Sequence, residues 1–368
     1  MSPTRDAGRH VDRVALATAA SARALATAAS ARALATAATA RALAYPYRVW
    51  GFGEDIALRA LLEVRELTGD PRPAAFVRDL VSGWSRRRHR LGPADHVAPG
   101  VPLLLLHAAH GDDHLLATAL ELGHLLASFP RVDGVALHRR DLDAWCDTIW
   151  VDCMALDAPF LTALGRATGA DAWTALGVDQ LLAYARVLRD PDTGLFHHGY
   201  DVAAKRRSAC RWARGNGWAL HGLVDTLEAL APAHPARDEV AGIVRALLAA
   251  LASRQDASGL WRTVLDDPST PLENSTAAMF ASAALKARRL EFVARELQDA
   301  VDAMNARAVA ALAARVDADG GLRVSTATPV GDRATYAERD VGVFPWGQGP
   351  LLLTLLELHR ASAPEASA

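Results

Sequence analysis

Cysteine is scarce in this chain: Cys146, Cys153 and Cys210 are the three it has in 368 residues, and no two of them form a CxxC pair. That excludes a zinc ribbon or a thioredoxin-type redox pair, and an odd, sparse count suits a reducing compartment. Net charge is almost absent too, formally -2 at pH 7. A nucleic-acid partner would require a clearly basic face, so none is expected. A small anion is still compatible, because one arginine binds a carboxylate whatever the net charge. Long apolar runs are missing: GVPLLLLHAAHG falls far short of the roughly 20 residues that span a bilayer. The first residues, MSPTRDAGRHVDR, lack the basic segment and apolar core of a secretory signal. A soluble cytoplasmic protein with no membrane partner is expected. A GxSxG elbow, a Walker A loop, GxGxxG after a strand and HExxH are also absent.

What is present is helix after helix. Apolar residues recur at i, i+3, i+4 and i+7, and the pattern predicts helices over 53–69, 72–88, 99–111, 112–129, 150–169, 170–188, 216–231, 235–254, 272–287, 290–315 and 347–361. A nonapeptide, ATAASARAL at 17–25 and 26–34 and ATAATARAL at 35–43, adds an N-terminal helix ending near Tyr45-Pro46. Nine residues turn a helix through about 900°, so successive copies face opposite sides and make no single amphipathic stripe. The repeat reads as an expanded helix without chemistry; it lacks the bulky apolar residues of a membrane-surface helix. Strand-like alternation is short and confined to loops.

A second repeat sets the architecture. RVDGVAL, DPDTGLF, DASGLW and DADGGL are variants of one Asp-started, Gly-containing turn, with Gly134, Gly194, Gly259 and Gly320 spaced 60, 65 and 61 residues apart. That period fits a helical hairpin plus one long loop, and six such units need about 360 residues. The unusual residues gather in the long loops, and the last helix lacks a polar capping face, so a closed ring is favoured over an open array. The expected fold is all-α, a single-domain (α/α)6 barrel. Residues 1–44 would supply the Ala-rich N-terminal helix as the first helix of the barrel, 45–362 the (α/α)6 catalytic domain, and 363–368 a disordered tail.

In such a barrel the N-terminal ends of the even-numbered helices point into one cleft with positive dipole character. YRVWGFGED, GPADHVAPG, ALHRRDLDAWCDTIWVDCM, FHHGYD and RWARGNGW all precede or open those helices. Asp152 and Asp95 are the carboxylates of interest. Asp152 also reads as an N-cap, Asp95 as a turn former, and Asp143 and Asp147 compete with Asp152. His138, His197 and His198 lack metal-ligand spacing, so no metal is expected, while His198 suits hydrogen bonding to a sugar. Trp212, Arg214 and Trp218 suit a uronic acid: the guanidinium can hold a carboxylate and the indoles can stack on sugar faces. The flanking glycines would let backbone and ligand approach closely. Trp218 also reads as core.

Taken in order, WGFGED, DHVAPG, the histidine of ALHRR, IWVDCMALDAPFL, TGLFHHGYD, RWARGNGW, ENSTAAMFASAALKA and VFPWGQGPLLLTLLEL resemble glycoside hydrolase family 105, the unsaturated rhamnogalacturonyl hydrolases, with family 88 unsaturated glucuronyl hydrolases as relatives. The resemblance covers roughly residues 46–360 and implies an (α/α)6 barrel. It implies Asp152 as the general acid/base, seven residues before the Pro-Phe-Leu triplet, and Asp95 as its partner carboxylate. His138, His198, Trp212, Arg214 and Trp218 would contact substrate, and Trp50 or Phe52 would form an aromatic wall. His96 stands where family members often have Asn. The implied substrate is a small unsaturated oligosaccharide, the implied reaction is hydration of its C4=C5 bond, and no cofactor is required. The protein would act as a monomer or homodimer. The alternatives are an unsaturated glucuronyl hydrolase acting on glycosaminoglycan-type or other uronides, a sugar epimerase or isomerase on the same barrel, and a non-enzymatic helical scaffold.

Overall fold

The computed structural model describes residues 28–87, 97–137, 139 and 142–362. Asp95 and His138 therefore lie outside the described residues, as do 1–27 and 363–368. The described chain contains twelve principal helices: α1 Ala28–Leu43, α2 Asp55–Glu63, α3 Arg72–Arg86, α4 Gly100–His110, α5 Asp113–Ser128, α6 Asp157–Thr168, α7 Asp171–Leu188, α8 Ala213–Ala229, α9 Arg237–Ala252, α10 Asn274–Arg289, α11 Gln298–Ala313 and α12 Pro345–Ser362.

The even-numbered helices form a closed ring. Each packs on the next, α2 on α4, α4 on α6, α6 on α8, α8 on α10 and α10 on α12, and α12 returns to α2. An odd-numbered helix packs outside each of them, α1 against α12 and α3, α5, α7, α9 and α11 against their even neighbours. The fold is an (α/α)6 barrel. Burial follows from these positions. Outer α9 buries one stripe, Val240, Ile243, Val244, Leu247, Leu248 and Leu251, at helical spacing. Inner α8 is buried on every side from Ala213 to Leu227. In α1 the buried stripe is alanine, Ala31, Ala35, Ala38 and Ala42, with Thr39 beside it. Because nearly every position of the nonapeptide is small, a single face can be chosen without a bulky stripe in the sequence.

The four Asp–Gly turns recur in space. Gly134, Gly194, Gly259 and Gly320 all have positive φ, between 73° and 88°. Gly259 abuts the backbone of Arg307 on α11, and Gly320 abuts Ala37 and Ala38 on α1, so the last turn lands on the first helix. Gln348 of α12 reinforces that closure, donating to the carbonyls of Ala38 at 3.1 Å and Gly320 at 3.0 Å.

Three predicted boundaries differ. The segment over 150–169 opens as a strand, Thr148–Trp150, then a 3-10 turn, Val151–Ala155, before α6. The cause is non-local: Thr148–Trp150 pairs antiparallel with Gly199–Asp201. The span 290–315 becomes helical only as a short turn at Arg295–Leu297 and then α11, because Glu291 takes a positive φ of 60° after α10. Helix α8 starts at Ala213 rather than 216, so the last six residues of RWARGNGW are helix. Among the described residues, no helix is long and apolar enough to cross a membrane.

Candidate active site

The long loops and the starts of the inner helices enclose a cavity of about 440 Å³. Phe52 and Glu54 enter from the start of α2, Trp150 and Asp152 from the approach to α6, Trp212, Arg214 and Trp218 from the start of α8, and Trp346 from α12. Arg48 and Arg139 add positive charge to its wall. The cavity is thus aromatic-walled, with Glu54 and Asp152 as its described carboxylates and three guanidinium groups around them.

RWARGNGW divides its duties by helical position. Trp212 is the N-cap residue of α8, and Arg214 and Trp218, four residues apart, share one face that lines the cavity. Gly215 and Gly217 serve packing, not ligand approach. A side chain at Gly215 would strike Val151, and one at Gly217 would strike Met279 of α10. Asn216 is fully buried; its amide donates to the Phe196 carbonyl at 2.9 Å and accepts from the Phe196 amide at 2.8 Å. It thereby fixes the strand entrance two residues before His198.

Asp152 is 6% exposed and lines the cavity. It caps neither the 3-10 turn nor α6, whose cap residues are Trp150 and Leu156. Its Oδ2 lies 3.0 Å from His198 Nε2. His198 is fully buried, and its Nδ1 lies 2.9 Å from the Tyr336 hydroxyl. Its ring sits against Trp212, with centroids 4.4 Å apart, and edge-on to Trp150. His198 therefore stands behind Asp152 and does not line the cavity, where sugar hydrogen bonding would require it. Asp143 and Asp147 are both exposed and outside the cavity.

Arg214 is 1% exposed. Nη1 donates to Ser325 Oγ at 2.7 Å and Ser275 Oγ at 3.4 Å; Nη2 donates to the Thr326 carbonyl at 2.7 Å and Thr328 Oγ1 at 3.2 Å. Its guanidinium lies 4.5 Å from the Trp212 ring centroid and 5.8 Å from that of Trp346. Burial pushes its pKa down to about 10, against the opposing pull of Glu273 and Asp152, so it stays cationic at neutral pH. A bidentate carboxylate clamp therefore competes with hydroxyl and carbonyl acceptors already in place. Glu273 orders those acceptors: its Oε1 accepts from the amides of Ser275 at 3.1 Å and Ser325 at 3.2 Å.

The two aromatic-wall candidates separate. Phe52 lines the cavity and meets Trp218 edge-on at 5.4 Å. Trp50 stacks on Trp84 at 5.7 Å and lies outside the cavity lining. Sequence reasoning did not single out Glu54, Trp346 or Tyr336, although the first two lie in the motifs WGFGED and VFPWGQGP. Glu54 Oε2 accepts from the amides of Arg48 at 2.9 Å and Val49 at 2.8 Å, which shapes the loop before α2. Among the described residues, no group of three or more His, Cys, Asp or Glu side chains is placed to hold a metal ion.

The comparisons with known proteins agree with this architecture. The chain is 33% identical to the unsaturated rhamnogalacturonyl hydrolase YesR of Bacillus subtilis over 273 residues, 71% of this chain and 75% of the relative. A crystal structure described as a possible member of the GH105 family, from Salmonella enterica, superposes with a TM-score of 0.83 at 24% identity, covering 91% of this chain and 95% of that one. The unsaturated glucuronyl hydrolase of Bacillus sp. GL1 shares the fold with a TM-score of 0.68 at 20% identity, covering 84% and 86%. The family model for Glycosyl Hydrolase Family 88 matches residues 29–362, and the chain belongs to that family as a glycoside hydrolase.

Proposed function

We propose that the protein removes a 4,5-unsaturated uronic acid from the non-reducing end of lyase-generated oligosaccharides, with the unsaturated rhamnogalacturonan disaccharide as its substrate. The observation that carries this reading is the placement of Asp152. It is the carboxylate that faces the cavity from the approach to α6, beside the Trp212–Arg214–Trp218 face of α8. The similarity to a rhamnogalacturonyl hydrolase supports the choice of sugar. Asp95 is assigned as the partner carboxylate from its motif alone.

Ordinary glycoside hydrolysis sets two carboxylates across the scissile bond. Here a single acid acts on the vinyl ether. Asp152 protonates C4, water adds at C5, and Asp152 takes the water's proton. The resulting C5 hemiketal opens to a ketone, and the C1 hemiacetal left behind releases the second sugar. One group serving as acid and then as base does both steps without a second turnover of protons from solvent. Arg214, which lines the same cavity, is the cation assigned to the uronate charge.

The test is the ultraviolet absorbance of the conjugated C4=C5–carboxylate, followed with purified protein and the unsaturated disaccharide. A steady loss that Asp152→Asn removes is the expected result. Loss only with unsaturated glucuronyl disaccharides would keep the mechanism and change the sugar. No loss with any unsaturated uronide would overturn the proposal.

A further inference from the structure

A buried chain of hydrogen bonds leads away from the cavity behind Asp152. Tyr336, on the short helix Arg333–Ala337, is 2% exposed. Its hydroxyl accepts from the Gly331 amide at 3.2 Å and lies 2.9 Å from His198 Nδ1. No other acceptor for the phenol proton exists among the described residues, and a buried hydroxyl proton without a partner costs about 1–3 kcal/mol. The phenol therefore donates to Nδ1. That leaves the imidazole proton on Nε2, which faces Asp152 Oδ2 at 3.0 Å. The tautomer is set by the partner of the other ring nitrogen, as in histidines that orient a functional group from behind.

We infer that Tyr336 is a positioning residue: it fixes the Nε2–H tautomer of His198, and through it holds Asp152 in one orientation with Oδ2 accepting. The catalytic part of this inference rests on the role proposed for Asp152; the tautomer does not. With Oδ2 held, proton exchange with substrate is confined to the other carboxylate oxygen. Trp150 and Trp212 pack on the imidazole and keep it from turning.

The experiment combines spectroscopy with a mutant cycle. In protein labelled with ¹⁵N-histidine, long-range ¹H–¹⁵N correlations distinguish the tautomers, and the signal missing from His198→Gln identifies His198. The expected wild-type result, for the singly protonated ring, is a proton on Nε2 and none on Nδ1. A singly protonated ring that carries its proton on Nδ1 would overturn the inference. The spectrum requires no substrate, so it remains decisive even if every unsaturated uronide proves inert. Tyr336→Phe is expected to give a mixed tautomer and to lower kcat about tenfold with KM changed less than about twofold. Gln at position 198 keeps an N–H donor for Asp152 without needing the phenol. In the His198→Gln background, Tyr336→Phe is therefore expected to cost nothing further. Equal losses in both backgrounds would mean that Tyr336 merely packs, and would overturn the inference.

Discussion

Arg59 of α2 pairs with Asp225 of α8, and these two helices stand opposite each other in the inner ring. The pair lies about two helical turns along α8 from Trp218, away from the cavity mouth. Lys286 of α10 adds a second cation on Asp225 at 2.6 Å, and Asp55 meets Arg59 at 3.6 Å. Asp225→Ala would remove the anion they share, leaving buried Arg59 with Asp55 and half-buried Lys286 with Glu228 at 2.6 Å. The expected loss is about 3 kcal/mol in urea unfolding, because the buried Arg59 loses its nearer carboxylate. A loss under about 1 kcal/mol would show that water enters and solvates the cations.

The same network makes stability depend on pH. Burial pushes the Asp55 carboxyl up to about 6, more than Arg59 pulls it down, and Asp225 adds repulsion. The folded state therefore holds a proton that the unfolded chain releases near 4. That contribution is complete below the unfolded value and is lost as pH rises through about 6. Asp55→Asn keeps the neutral form at every pH. The variant is expected to match wild type near pH 4 and to exceed it above pH 6, by up to about 3 kcal/mol. Asp225 behaves oppositely: Arg59 and Lys286 hold its carboxyl low despite burial, so its stabilisation is lost as pH falls. Thermal unfolding across this range checks both signs, and an Asp55→Asn curve parallel to wild type would refute the first.

Asp152 and Asp147 make opposite forecasts despite lying five residues apart. Asp152→Asn keeps the shape and an acceptor for His198 but carries no ionisable proton. It is expected to lower kcat by at least about a thousandfold while circular dichroism and melting stay near wild type. Asp147→Asn, on the exposed strand entrance, is expected to leave kcat within about twofold. The reverse pattern would move the acid to Asp147.

Much of the barrel was legible because outer helices such as α9 carry a periodic apolar stripe that needs no knowledge of neighbours. Inner α8 carries no such stripe, since it is buried on every side from Ala213 to Leu227. The start of α8 was misread by three residues for that reason, aided by the low helix propensity of Gly215 and Gly217. The approach to α6 looked helical because IWVDCMALDAPFL is apolar apart from Asp152 and Asp157, while the strand that overrides it pairs some fifty residues away. Trp212, Arg214, Trp218 and Asp152 stood out by residue type. Tyr336 did not: it sits 138 residues from His198, and nothing local marks it. The acceptors around Arg214 are hidden in the same way, with Ser325 and Thr328 lying 111 and 114 residues distant.

Arg214→Lys tests whether the fork or the charge matters. An ammonium cannot reach Ser325, the Thr326 carbonyl and Thr328 from one point, and it stacks less well between Trp212 and Trp346. The charge stays, but its geometry toward a carboxylate is lost. KM is expected to rise about 30-fold with kcat changed less than about threefold, since uniform binding is what the fork supplies. An unchanged KM would place uronate recognition elsewhere, with Arg48 and Arg139 the remaining described cations of the cavity wall.

Closure of the ring makes Gly320 more demanding than a turn glycine in open space. Its φ is 83°, and an added Cβ would strike the Ala37 carbonyl carbon and the Ala38 amide on α1. Gly111, at the end of α4, has a φ of 68° with nothing around it. Both pay the left-handed penalty of about 1–2 kcal/mol on substitution by alanine. Only Gly320→Ala must also push α1 away from α12, disturbing the Gln348 hydrogen bonds that join both ends of the ring. Gly320→Ala is therefore expected to cost about 3–4 kcal/mol in urea unfolding, against about 1 kcal/mol for Gly111→Ala. Equal losses at the two positions would mean that the alanine-rich first helix yields freely, and that the inner helices close the barrel without it.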